Sequence, residues 1–307
     1  MSESGLQRIG VIGIGTMGNG IAQVCAQSGF ETVVRDVSDE VLAKGMTAIE
    51  RSLDRLVKAH EKSGGEKGIA ETEKAAALGR LSTTLELGDL VGCDLIIEAA
   101  PEIPELKETI NSELAGLGYD RILCSNTSGI SITRLGAAYG KPELFMGMHF
   151  MNPVPMQKGV EIIRGLATSD ATHATVVALC HDLGKIEIPA EDKAGFAINR
   201  MFVPFVNEAV RVVEEGIAAV EDVDKCTYCL GHKMGPLMTA DFVGLDTMLF
   251  ICNVIEEEFG SAYKASPLLK RLVESGQLGA KTGRGFYVWE KYQATGVNPD
   301  VARYRIG

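Results

Sequence analysis

Residues Ile9-Gly10-Val11-Ile12-Gly13-Ile14-Gly15-Thr16-Met17-Gly18 run an apolar segment straight into a Gly-x-Gly-x-x-Gly turn, and Asp36 follows 18 residues after the last glycine. A buried strand, a tight turn and a helix start, in that order, make an anion site. The helix N-terminus presents unpaired N–H groups and the positive end of its dipole to a pyrophosphate. Gly13 is expected to allow the tight turn, Gly15 the close approach of backbone to phosphate, and Gly18 the packing of helix on strand. Thr16 and Met17 lie between the second and third glycines and belong to the same cradle. Ile21, Ala22 and Val24 through Ala26 continue as the apolar side of the helix. Glu31 to Arg35, centred on Val33-Val34, reads as the second strand. Asp36 at its end suits both hydroxyls of an adenosine ribose and repels a 2′-phosphate. The expected cofactor is NAD rather than NADP.

Outward from this turn, strand-like runs recur at 9–14, 32–36, 94–99, 122–125 and 145–150, with helical patterns between them. That alternation predicts an α/β fold: a Rossmann-type doubly wound, mostly parallel sheet covered by helices. One insertion interrupts it. Leu42, Met46, Ile49, Leu53 and Leu56 share a helical face, and Ser63-Gly64-Gly65 should end that helix before a shorter one at 71–78. The expectation is a helical hairpin projecting from the sheet. A second regime begins near Glu191, where Ile198, Phe202, Phe205, Ala209 and Val212 mark a helix containing Pro204. The reading therefore divides the chain into residues 1–190, an NAD-binding domain, and 191–307, an all-α domain for substrate and dimerisation. Gly-Phe-Tyr-Val-Trp at 285–289 is expected to end the ordered chain. The apolar stretches at 248–252 and 254–255 look like more than one small layer buries alone, which favours a homodimer.

Composition narrows the function. A formal charge of −11 over 307 residues argues against general nucleic-acid binding, which needs a dense basic surface. No apolar stretch approaches the roughly 20 residues of a membrane span, and Met1 to Gln7 lacks the apolar region of a signal peptide. Neither a nucleic acid nor a membrane is expected as partner, and the cytoplasm is the expected compartment. Seven cysteines are scattered, most beside apolar neighbours. Cys226 and Cys229 form a Cys-x-x-Cys without the second pair or histidines that a zinc site requires. No metal is expected.

Several segments carry candidate chemistry, each with a structural alternative. Arg51, Arg55, Lys58 and Lys62 line one stripe of the inserted helix and invite an anion; a solvated face paired with Glu50, Asp54 or Glu61 is the alternative. Ser125-Asn126-Thr127-Ser128 follows a strand directly, at the sheet edge where doubly wound folds bind ligands; capping of the next helix would explain it equally. His149, in His-Phe-Met-Asn-Pro-Val-Pro (149–155), is a candidate general base, since a free imidazole titrates near about 6.5. Glu161 lies in an apolar run, and a buried charge there needs a partner, with His149 the obvious one. Unrelated residues, with Glu161 on a solvent-facing edge, are the alternative. Asn199 opens the second region either as a ligand contact or as a cap.

Taken together, these strings resemble the L-3-hydroxyacyl-CoA dehydrogenase family, including the short-chain 3-hydroxybutyryl-CoA dehydrogenases of bacteria. The resemblance covers residues 9 to 289. It rests on Ser-Asn-Thr-Ser (125–128), His-Phe-Met-Asn-Pro-Val-Pro (149–155), Val-Glu-Ile-Ile (160–163), Gly235-Pro236, Asp-Phe-Val-Gly-Leu-Asp-Thr (241–247) and Lys-Thr-Gly-Arg-Gly-Phe-Tyr (281–287). It implies NAD-dependent oxidation of an L-3-hydroxyacyl-CoA, with His149 as base and Glu161 orienting it. Ser128 and Asn199 are implied to contact the reacting group, and Asp36 the adenosine ribose. Glu102, Lys107, Asn152 and Lys281 match positions lining the NAD site. Ser52 matches a CoA contact, but Ala59 stands where some relatives place a CoA-binding lysine. The stripe residues Arg55, Lys58 and Lys62 then become candidate substitutes. Relatives dimerise through the C-terminal region, which implies the same here. A sugar-acid or other hydroxyacid dehydrogenase on this scaffold, and an inactive NAD-binding regulatory protein, are the competing readings.

Overall fold

The computed structural model describes residues 2–302, which fall in two compact units that divide between Lys193 and Ala194. The first unit is built on an eight-stranded sheet: β1 (Arg8–Ile12), β2 (Glu31–Arg35), β3 (Leu81–Thr84), β4 (Leu95–Glu98), β5 (Ile122–Ser125), β6 (Phe145–Phe150), β7 (Gly159–Arg164) and β8 (Ile186–Glu191). Their spatial order is β3-β2-β1-β4-β5-β6-β7-β8, and every pairing is parallel except β6 with β7. Between β1 and β4 the strand order reverses direction, which opens the crevice where such sheets bind ligands. The central strands are apolar on both faces because helices cover both: Val11, Ile97, Cys124 and Met148 are wholly buried.

Helix α1 (Thr16–Gln27) follows the glycine turn, and α2 (Asp39–Ser63) with α3 (Glu71–Gly79) forms the expected hairpin. The Ser38 hydroxyl caps α2 by accepting from Val41 N, acidic Asp39 and Glu40 suit the positive end of its dipole, and Gly64 in the left-handed region closes it. Its buried stripe is Leu42, Ile49, Leu53 and Val57. Helices α4 (Pro104–Gly116), α5 (Ile132–Tyr139) and α6 (Asp170–Asp182) complete the unit.

The second unit is helical: α7 (Ile198–Glu214), α8 (Val220–Cys229), α9 (Pro236–Val243), α10 (Leu245–Phe259) and α11 (Pro267–Glu274), with Pro204 held inside α7. One expectation needs correction. The ordered chain continues past Trp289 into an antiparallel hairpin, β9 (Tyr287–Glu290) and β10 (Gln293–Val297), and a short α12 (Pro299–Ala302). Buried Asp241 anchors this hairpin by accepting from Phe286 N, Tyr287 N and the Trp289 indole, each at 2.8 Å. Burial pushes the Asp241 carboxyl up to about 6 against the pull of those donors. The apolar stretches at 248–252 and 254–255 are only partly taken up within the unit, since Leu249, Phe250 and Val254 stay half-buried. Met248, Ile251, Cys252 and Ile255 are buried in the unit's own core against Val206, Val210 and Leu268.

Candidate active site

The glycine turn adopts the geometry its residues allow. Gly13 lies at φ +88°, and a Cβ there would sit 2.7 Å from the Ala99 carbonyl. At Gly18 a Cβ would fall 1.7 Å from the Gly13 carbonyl, so only glycine lets α1 start this close. Gly15, by contrast, faces open space, as approach of a ligand to the backbone requires. No side chain caps the first turn of α1, so its first N–H groups are available in the way an anion site requires. Asp36 follows β2 and accepts from Ile14 N at 2.7 Å, tying its carboxylate to the turn itself.

The carboxyl ends of β5 and β6 carry the candidate catalytic residues. His149 and Glu161 are direct cross-strand partners in the antiparallel β6–β7 pair. Their side chains therefore share one face of the sheet, and His149 Nδ1 lies 2.7 Å from Glu161 Oε2. Glu161 has no solvent exposure, which removes its reading as an edge residue, and His149 is 8% exposed. With Nδ1 engaged by Glu161, the proton exchange of a general base would fall to Nε2.

The Ser125–Ser128 turn is not a helix cap. Capping of α5 belongs to Ser131, whose hydroxyl accepts from Arg134 N, and to Asp192, which accepts from Ile132 N and Thr133 N. The turn is instead stitched into the crevice. Asn126 Oδ1 accepts from Phe150 N at 2.8 Å, next to His149. Glu102 Oε1 accepts from Thr127 Oγ1 (2.6 Å), Ser128 N (2.7 Å) and Ser128 Oγ (3.0 Å).

Lys107 departs from its expected place on the lining. It is 1% exposed, and its ammonium donates to Glu98 Oε1 at 2.7 Å and the Ala100 carbonyl at 3.0 Å, with Glu102 Oε2 at 3.5 Å. It sits beneath the crevice surface because two carboxylates draw it inward. Asn152 is exposed in the loop joining β6 to β7. Lys185, which the sequence reading passed over, reaches that loop: its buried ammonium donates to the carbonyls of Val154 (2.6 Å) and Gln157 (2.7 Å). Burial holds the Lys185 ammonium below the ordinary lysine value. In the second unit, Asn199 is buried in the first turn of α7, and Lys281 pairs with Asp246 at 2.6 and 2.7 Å.

On α2, Ser52 is half-buried and Arg51, Arg55, Lys58 and Lys62 are exposed. Among the described residues none of the four cations pairs with Glu50, Asp54 or Glu61. Asp54 is taken by Lys74 of α3 at 2.6 Å, and that hydrogen bond holds its carboxyl below the usual range. The Lys58 charge also acts on Asp54, while Arg51, Arg55 and Lys62 stay exposed beside it. Cys226 and Cys229 are exposed on α8 with free thiols.

Comparison with known proteins decides the family. The model of the 3-hydroxyacyl-CoA dehydrogenase NAD binding domain matches residues 8–193, and that of the C-terminal domain of 3-hydroxyacyl-CoA dehydrogenase matches 195–289. The chain belongs to the 3-hydroxyacyl-CoA dehydrogenase family. Among curated members, the 3-hydroxybutyryl-CoA dehydrogenase of Bradyrhizobium diazoefficiens is 46% identical over 92% of this chain and 95% of its own. The crystal structure of (S)-3-hydroxybutyryl-CoA dehydrogenase from Ralstonia eutropha superposes with a TM-score of 0.86 at 44% identity, covering 93% of this chain and 100% of that one. That of FadB2 from M. tuberculosis gives a TM-score of 0.88 at 42% identity, covering 93% and 99%. As in this family's NAD binding domain, the glycine turn and Asp36 of the first unit suit NAD. No helix among the described residues is long and apolar enough to cross a membrane.

Proposed function

We propose that this 3-hydroxyacyl-CoA dehydrogenase interconverts a short-chain L-3-hydroxyacyl-CoA, such as 3-hydroxybutyryl-CoA, and its 3-ketoacyl-CoA with NAD. The observation that carries the reading is the buried His149–Glu161 pair at the carboxyl end of β6, in a sheet whose first turn cradles a dinucleotide. Gly13, Gly15, Thr16, Met17, Gly18 and Asp36 hold the cofactor, with Glu102, Asn152 and Lys281 lining it and Lys107 supporting Glu102 from below. Bound there, NAD would supply the acceptor for the hydride that leaves C3 of the substrate.

His149 Nε2 removes the C3 hydroxyl proton in oxidation and returns it in reduction. Glu161 keeps the proton on Nδ1, so that Nε2 presents its lone pair, and stabilises the imidazolium that forms. Ser128 and Asn199 orient the C3 oxygen with hydrogen bonds placed where charge changes. Ser52, Arg55, Lys58 and Lys62 receive the phosphates of CoA, the last three in place of the lysine that Ala59 replaces. The first unit thus acts as cofactor domain and the second as substrate and dimerisation domain. Seven free thiols accord with a reducing compartment such as the cytoplasm.

An NADH-formation assay across L-3-hydroxyacyl-CoAs of graded length, with NADP as control, tests the proposal. The expected result is NAD-specific turnover that is best with the C4 thioester. Activity on free hydroxy acids with none on CoA thioesters would overturn it.

A further inference from the structure

Glu98 is the last residue of β4, at the point where the strand order reverses, and it is fully buried. Three donors converge on its carboxylate: Ala100 N at 2.6 Å and Lys107 Nζ at 2.7 Å on Oε1, and Ser125 Oγ at 2.6 Å on Oε2. Its own backbone carbonyl accepts from Asn126 N at 2.8 Å. A charge in this position is retained only with such partners, and removing one member of the set leaves another buried and unbalanced.

The partners share a destination. Ser125 begins the Ser125–Ser128 turn, and its Oγ also accepts from Thr127 N at 3.3 Å. Lys107 stands between Glu98 and Glu102, and Glu102 holds the other end of the turn through Ser128 N and Oγ. One carboxylate therefore grips the near end of the turn directly and the far end through Lys107 and Glu102. From this geometry we infer that Glu98 is a positioning residue for the reaction: it sets where Ser128 Oγ stands without touching substrate or cofactor. The inference rests on the role given to Ser128 under the proposed function.

The electrostatics give it direction. With Glu98 charged, the Lys107 ammonium is shared between two carboxylates, the closer being Glu98. Neutralising Glu98 leaves Glu102 as the lone anion beside the ammonium. Lys107 then draws Glu102 towards itself and away from Ser128. The catalytic pair is on other strands and keeps its own contact.

The test is a double-mutant cycle on the full chain. Glu98→Gln is expected to lower kcat roughly 10- to 100-fold, the scale of a misplaced catalytic contact, with the KM for acyl-CoA and the pH profile set by His149 unchanged. In a Ser128→Ala background the same replacement should change kcat by less than about twofold, because the group it positions is gone. An equal loss in both backgrounds means that Glu98 is only structural and overturns the inference alone. Wild-type kcat in Glu98→Gln overturns it as well. Wild-type kcat in Ser128→Ala overturns the role of Ser128 and the inference with it. Should Glu98→Gln not fold, Ser125→Ala removes only the near-end hydrogen bond and is put through the same cycle, with the same pattern expected and the same outcomes overturning it.

Discussion

At the scale of single residues, the pair formed by His149 and Glu161 is a case where the sequence already contains the argument. An acid inside Val160-Glu161-Ile162-Ile163 has to find a partner once buried, and the imidazole 12 residues earlier is the partner it finds, at 2.7 Å. His149→Ala is expected to lower kcat by roughly 100- to 10,000-fold, the range of a lost general base, while leaving NAD affinity intact. Glu161→Gln keeps the shape and loses the charge that holds the ring tautomer; its kcat is expected to fall about 100-fold. Steady-state kinetics with NAD titration by fluorescence checks both, and unaltered turnover in either variant contradicts the assigned role. Glu98 was not legible in the same way. As the last residue of an apolar strand it looks like an ordinary strand end, and only the fold shows that Lys107 and Ser125, distant along the chain, arrive on its two oxygens.

Among elements, patterning was most informative where burial is one-sided or complete. The helix α2 shows its apolar stripe, its Ser38 cap and its Gly64 stop in the sequence, and the central strands are continuous apolar runs. Strands β3 and β8 were missed because they lie at the sheet's two edges and are largely open to solvent. Leu81–Thr84 is mostly Ser and Thr, and Ile186–Glu191 carries a proline and two glutamates. The β9–β10 hairpin was missed because its anchor, Asp241, is 48 residues upstream of Trp289. For α2, the structure narrows what the sequence left open: Lys74 takes the hydrogen bond of Asp54, although the Lys58 charge still acts on that carboxylate. Charge reversal by Arg55→Glu with Lys58→Glu is expected to raise the KM for a CoA thioester about tenfold or more, through lost phosphate attraction. The KM for the matching pantetheine thioester, which lacks those phosphates, should not change. Equal effects on both substrates would assign the stripe back to solvent.

For the whole molecule, self-association has to be argued from surface that the chain leaves open, since of the α10 residues first suspected Met248, Ile251, Cys252 and Ile255 are buried within their own unit and Leu249, Phe250 and Val254 are half-buried. Met201 and Phe205 lie one turn apart on α7 at 71% and 38% exposure, Phe205 stacks on His232, and Leu230 is 77% exposed. Exposed apolar side chains of this kind are candidates for an interaction site. A homodimer is expected in solution by light scattering, with Met201→Lys combined with Leu230→Lys shifting it to monomer; unchanged mass in that variant would place the contact elsewhere. Another consequence follows from Lys185, whose ammonium seizes main-chain oxygens and no side chain. It dictates the route taken between the two catalytic strands while leaving the wording of that route open. Exposed Met156 and Gln157 can be exchanged at no cost to the clamp, yet shortening the connector by one residue would carry both oxygens out of the ammonium's reach.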